Sequence, residues 1–400
     1  MDNEFAMVNH APTEMKNIVL VGGHDETFTH FAGLGFEFSV LQRPRLIGEN
    51  LRTLTDDIHP VPDFEPDTVA AEIERIIQSK RVDYIFSFTE SGLLPAALAS
   101  HRFAIPGISL AACGLCIDKQ MMREFLAGSE FAVASAICRT PTAVEAFFDQ
   151  HRRGIVLKDP TGSGSEAVFI VRDERELAIA LTQVGREDFV MLAEEYLPGR
   201  EVSVETLTID GKHRILAVTN KKLHRNTLAE EQHVISPDVV VAKQFHEISD
   251  YCERLLTRIK HQHGPCHIEV KIADNRIHLI EINNRVGGDY IGLLVELTTG
   301  VSQVRETLRC HSDATQSNCD RENRALYTHA ASHQFYEPIE PELLRRALRG
   351  VDIVRLHIGP AKSSACRPRT NQDKVGWIVI AGNERDAFHR AIDFLDAYCS

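Results

Sequence analysis

The segment Gly264–Asp289 constrains the fold more than any other. It reads Gly-Pro-Cys-His-Ile-Glu-Val-Lys, a turn at Asp274-Asn275, then Ile-His-Leu-Ile-Glu-Ile-Asn-Asn-Arg-Val-Gly-Gly-Asp. In the second half Glu281, Asn283 and Arg285 alternate with Ile280, Ile282 and Val286, the period of a strand with one polar and one apolar face. Two strands joined by that turn bring Glu269 near Glu281. The shared face then carries two acids, an amide and a guanidinium. Oxygen ligands from adjacent strands suit Mg²⁺, which binds through a few carboxylates plus substrate phosphates. A neighbouring arginine can hold a carboxylate or phosphate in a fork. A solvated sheet face would show the same alternation, but it leaves Gly287-Gly288 unexplained, a pair that lets another group come close.

Upstream, residues 17–22 are a short apolar run ending in Gly22-Gly23, the pattern of a buried parallel strand entering a turn. Further strands are expected at Phe36–Leu41 and Val82–Phe88, with an amphipathic helix over Val69–Lys80 carrying Ile73, Ile76 and Ile77 on one face. This alternation predicts an open α/β unit over residues 15–110. Gly22-Gly23 lacks the G-x-G-x-x-G spacing of a dinucleotide site. Thr89-Glu90-Ser91 follows a strand end, where such sheets line a ligand crevice, and is equally explained as a helix N-cap.

Asp118-Lys119 opens a helix running to Ala127. Residues 154–171 then read strand, Gly/Ser loop (Thr161 to Glu166), strand. Backbone N–H groups of such a loop can approach an anion closely. It joins two strands, so it is not a P-loop, and a plain hairpin with a flexible tip fits equally well. In residues 190–206 two strands flank Pro198-Gly199 as a hairpin, with Glu194, Glu195 and Glu201 around the turn. Asp210-Gly211 marks another hairpin, between Thr206 and Thr219. Strands at Ala325–Tyr336, Val351–Ile358 and Gly376–Ala381, and helices at Pro341–Leu348 and Arg385–Tyr398, complete the C-terminal part. His311–Asn323 reads as a polar surface loop.

Composition narrows the function classes. With 57 acidic and 44 basic side chains the net charge is −13, which disfavours nonspecific nucleic-acid or membrane binding. The N-terminus has no apolar run of signal-peptide length and no segment approaches a membrane span, so a cytoplasmic location is expected. Nine scattered cysteines predict reduced thiols. Cys113-x-x-Cys116 has no second ligand pair for zinc nearby and reads as packing.

In this order the motifs resemble the ATP-grasp superfamily over residues 15–300. The resemblance implies an N-terminal open parallel α/β domain (1–112), a small lobe with a Gly/Ser lid (113–197), and a large lobe with the metal site and a C-terminal α+β subregion (198–400). It implies Lys119 and Lys158 as phosphate-binding lysines, with Ser163, Gly164 and Ser165 in the lid. Glu194, Glu195, Tyr196 and Leu197 are similar to the adenine hinge, and Glu201 to the ribose-binding acid. Glu269, Glu281 and Asn283 match metal ligands, with Mg²⁺ expected and Mn²⁺ as an alternative, and Arg285 matches the arginine two positions beyond.

His267-Ile-Glu269-Val, the Asn-Arg-x-Gly-Gly run and Thr219-Asn220-Lys221 followed by Glu230-x-x-His233 resemble the branch containing bacterial L-amino-acid ligases. That likeness implies catalytic roles for Arg285, Lys221 and His267, and substrate contacts at Glu230, His233, Gly287 and Gly288. Asn220, where an acid is common, and Gln232, which replaces a glycine, depart from the pattern. The implied activity is an ATP-dependent carboxylate–amine ligase working through an acyl phosphate. Its partners would be small carboxylates and amines, not nucleic acid or membrane, with a homodimer left open. Alternatives are a carboxylase of the biotin-carboxylase or purine-biosynthesis type, and an ATP-binding regulatory protein without turnover.

Overall fold

The computed structural model describes residues 15–162, 168–184, 189–224, 229–240, 242–274, 276–311, 324–360 and 373–398. Among these, one compact unit holds residues 15–108 and 308–311, and another holds 109–307 and 324–398.

In the first unit the apolar runs become parallel strands β1 (Lys16–Val21), β2 (Phe36–Gln42), β3 (Ile58–Pro60) and β4 (Tyr84–Phe86), in the order β3-β2-β1-β4. Ile18, Val19, Leu20 and Val21 are fully buried, as the unbroken apolar run requires. The helix Pro66–Ser79 turns Val69, Ile73 and Ile76 inward at three- and four-residue spacing. This is the open parallel α/β unit expected from the alternation.

The second unit contains two antiparallel sheets. The smaller comprises β5 (Ser135–Cys138), β6 (Ile155–Lys158), β7 (Phe169–Val171) and β8 (Met191–Glu195), ordered β5-β8-β6-β7. β6 and β7 pair as the predicted hairpin, and its tip at 163–167 lies outside the described residues. The larger sheet runs β13-β12-β9-β10-β11-β14-β16-β15. Its strands are β9 (Arg200–Ile209), β10 (Lys212–Leu223), β11 (Glu230–Ile235), β12 (Gly264–Ala273), β13 (Arg276–Asn283), β14 (His329–Phe335), β15 (Asp352–Ile358) and β16 (Gly376–Gly382). β9 and β10 meet at Asp210 (φ 51°) and Gly211 (φ 71°), the paired left-handed residues of a tight hairpin turn.

The expected hairpin around Pro198-Gly199 does not form. β8 pairs with β5 and β6 in the small sheet, whereas β9 pairs with β10 and β12 in the large one. Gly199 (φ 107°) carries the chain between sheets, and an added Cβ there would lie 2.3 Å from the carbonyl oxygen of Ile272. Turn chemistry alone does not say whether the strands it separates pair or part.

The helix Lys119–Leu126, capped by Asp118 accepting from the Met121 amide, packs Met122 and Leu126 against Val202, Val204, Ile268, Val270, Leu279 and Ile282 of the large sheet. Cys113 and Cys116 are buried in the preceding helix, Leu110–Ile117, and burial pushes the Cys113 thiol up to about 11, which leaves it protonated and inert. No helix among the described residues is long and apolar enough to cross a membrane.

Candidate active site

Register places the candidate residues in rows across the large sheet. Asn283 pairs with His267, which pairs with Glu205; Glu281 pairs with Glu269, which pairs with Ser203. Side chains opposite one another share a face, so these rows bring the acids together. A bulge follows Glu269 in the β12–β13 ladder, a device that re-aims side chains beside functional sites.

Lys221, on β10, is the hub. Its Nζ lies 2.8 Å from Glu269, 2.8 Å from Glu230 and 3.3 Å from Glu201, and its side chain is 3% exposed. Burial disfavours its charge, but Glu269, Glu230 and Glu201 outweigh burial and raise its pKa well above the usual lysine value. Burial opposes the charge on Glu269 too, yet Lys221 and His267 hold it well below the carboxylate range. Glu201 goes the other way, raised by burial despite Lys221.

His267 bridges two acids. Its Nδ1 is 3.0 Å from Glu205 Oε2 and its Nε2 is 3.1 Å from Glu269 Oε1. Burial would lower its pKa, but Glu205 and Glu269 prevail and raise it to about 9, which makes it an imidazolium donating to both. Glu205, fully buried, also accepts from Ser203 and Thr219.

The oxygen donors fit a hard cation. Lys221 and His267 both bond Glu269 through Oε1, so Oε2 has no partner among the described residues. Across the ladder, Glu281 accepts from Asn283 at 3.0 Å, and Lys119 Nζ lies 3.3 Å from its other oxygen. Two carboxylates and an amide are a donor set that Mg²⁺ accepts, and the Lys119 ammonium stands beside them.

Lys158, at the end of β6, lies 2.7 Å from Glu194 on β8, and Arg123 Nε donates to the same carboxylate at 2.6 Å. Burial disfavours the carboxylate, but Lys158 and Arg123 outweigh burial and hold Glu194 below the usual range. Arg123 also donates to the carbonyls of Leu279 and Ile280, which ties the small sheet to β13. Glu194, expected at the adenine hinge, thus anchors Lys158. After it, the Tyr196 amide donates to Gly154 O, and Leu197 O accepts from Lys271 Nζ at 3.2 Å. Tyr196 lies under Lys271 and Arg172 at cation–π distance. Glu195 accepts from the Ala134 amide.

β13 ends at Asn283, so the alternation that would set Arg285 on the same face stops short of it; Arg285 Nη1 donates to Val286 O. Gly287 does admit close groups, since an added Cβ would lie 2.8 Å from Ile291 and 2.9 Å from His267 Nδ1, while Gly288 faces open space. Ser163, Gly164 and Ser165 lie outside the described residues. Arg123, Glu205, Asp289 and Lys374 belong to the site but carry no assignment from sequence. The signals existed: Arg123 lies one helical turn after Lys119, Glu205 shares strand parity with Glu201, and Asp289 directly follows the Gly pair. Lys374 gave none.

Residues 151–292 match the model of the ATP-grasp domain. The uncharacterized protein y4rH of Sinorhizobium fredii is 23% identical over 350 residues, 82% of this chain and 71% of its own length. A D-alanine–D-alanine ligase of Bacillus anthracis is 25% identical over 154 residues, 37% of this chain and half of that ligase. The L-amino acid ligase from Bacillus licheniformis superposes with a TM-score of 0.78 at 18% identity, covering 96% of this chain and 97% of that one. The N5-carboxyaminoimidazole ribonucleotide synthetase from Thermus thermophilus gives 0.70 at 16% identity, covering 95% and 98%. Residues 151–292 carry an ATP-grasp domain, and the chain as a whole has the fold of the ATP-grasp enzymes it superposes on.

Proposed function

We propose that this protein is an ATP-dependent carboxylate–amine ligase that joins amino acids, or a modified amino acid, and releases ADP and phosphate. A carboxylate resists acylation because oxide is a poor leaving group; conversion to an acyl phosphate supplies phosphate as the leaving group instead. ATP and Mg²⁺, when bound, supply the phosphoryl group and its charge compensation. The chain's own task is positioning and electrostatic stabilisation. Lys119 and Lys158 neutralise phosphate oxygens, the second held in place by Glu194. Glu269, Glu281 and Asn283 hold the ion. His267, kept cationic by Glu205, and Lys221 present positive charge where negative charge develops, and Arg285 is proposed to do the same for the phosphoryl group. Glu201 and the hinge 195–197 receive ribose and adenine. The proposed lobes are residues 113–197 and 198–400, with the 163–165 tip as their lid.

The observation that carries this reading is the pairing of Glu269 with Glu281 across β12 and β13, with Lys119 on one acid and Lys221 on the other. Its test is ADP release over a panel of amino-acid pairs, with bicarbonate as a separate arm. ADP release that needs both an acid and an amine supports the ligase. Release with bicarbonate alone supports a carboxylase, and no release in either arm supports a regulatory ATP-binding protein.

A further inference from the structure

A second cluster of ligand-type side chains lies across Lys221 from the acids above. Glu230 and His233 come from β11, and Asp289 from the loop after β13; their ligand atoms all lie within 4.8 Å of one another. His233 is fully buried, yet its Nε2 has no hydrogen-bond partner among the described residues and lies 3.6 Å from Glu230 Oε2, too far for a hydrogen bond. Lysines hold one oxygen of each acid, and the buried imidazole nitrogen beside them stays without a partner among the described residues.

The spacing decides which kind of cation fits. Acceptors that share one ammonium at hydrogen-bond distance lie roughly 4.6 Å apart, whereas ligands on one divalent ion, with bonds of about 2.1 Å, lie roughly 3.0–3.4 Å apart. The 3.6 Å separation of His233 and Glu230 lies nearer the spacing of an ion's ligands than that of an ammonium's acceptors. We propose that Glu230, His233 and Asp289 bind a divalent transition-metal ion, separate from the ion expected at Glu269, Glu281 and Asn283.

An imidazole with two carboxylates selects Mn²⁺, Fe²⁺, Co²⁺ or Zn²⁺ over the all-oxygen preference of Mg²⁺ and Ca²⁺. Lys221 holds Oε1 of Glu230 and Lys374 holds Oδ2 of Asp289, so each acid is oriented by a fixed outer contact. Asp289 and Tyr290 take left-handed conformations (φ 49° and 67°), and Tyr290 packs on Trp377 at 4.4 Å between ring centroids, which fixes the loop that delivers Asp289. An ion there would hold an anionic oxygen of a substrate.

The test uses Mn²⁺ alone on the full chain, stripped with chelator, without nucleotide, and with Glu281→Gln to remove the other candidate site. One bound ion is expected, with ¹⁴N coupling in pulsed EPR from a directly bonded imidazole. His233→Gln should abolish that coupling, and Asp289→Asn, which keeps the shape of the side chain, should weaken binding at least tenfold. No bound ion, an ion without nitrogen coupling, or coupling that survives His233→Gln in folded protein would overturn the assignment. Neither ATP nor substrate enters this measurement, so its failure leaves the ligase reading standing, and a failed ligase panel leaves this site standing.

Discussion

Glu281 and Arg123 show how individual side chains can be tested apart. Glu281→Gln keeps an acceptor for Asn283 but removes the charge that faces Glu269 and Lys119. Turnover should be lost while the unfolding midpoint stays within a few degrees of the parent; retained activity in magnesium buffer would remove this residue from the metal site. Arg123→Ala makes a different break. Its side chain is 1% exposed and shares Glu194 with Lys158, so truncation leaves a buried carboxylate with half its compensation. Breaking such a pair costs about 3–5 kcal/mol. Urea unfolding should show that loss, and a change below 1 kcal/mol would mean that Lys158 alone satisfies Glu194.

At the scale of the element, Gly199 is the position where the chain must leave one sheet for another. Its φ of 107° and the 2.3 Å approach of Ile272 O leave no room for a side chain. Gly199→Ala should destabilise by about 1–3 kcal/mol from backbone strain alone, before the steric clash adds its share. An unchanged unfolding curve would mean that the turn can relax. This junction also shows the limit of sequence reading. Pro198-Gly199 announces a turn equally well whether the flanking strands pair or diverge, because turn residues report local backbone angles only. Asp210-Gly211 was legible as a hairpin because its two left-handed residues close a ladder directly. The acids Glu269 and Glu281 were legible because both lie on adjoining strands of one hairpin. Alternation holds only within a strand, and β13 ends at Asn283, so strand parity does not reach Arg285. The roles of Arg123 and Glu205 were hidden because their partners, Glu194 and His267, lie 71 and 62 residues away. No local pattern encodes such a pairing.

The whole molecule should be acid-labile through buried neutral histidines. His261 is 3% exposed, with Nε2 3.1 Å from Gly264 O, and burial lowers its pKa to about 4; burial likewise lowers His333 to about 3. Each folded pKa lies below the unfolded value, so the unfolded chain binds more protons in between. Their contribution is complete above about pH 6.5 and is lost as pH falls toward 4, at up to about 1.4 kcal/mol per pH unit for each group. Urea unfolding between pH 7 and 4.5 should show this slope, and His261→Asn should make it shallower by about one proton. A slope unchanged in that variant would show that His261 does not titrate on unfolding.

The central claim for the molecule is that it activates a carboxylate as an acyl phosphate and passes the acyl group to an amine. Oxygen transfer tests it most directly. With an amino-acid panel labelled with ¹⁸O in the carboxyl group, each productive turnover should place one ¹⁸O in inorganic phosphate while unlabelled ADP accumulates. Label appearing in AMP, or product formed with no label in phosphate, would contradict the account.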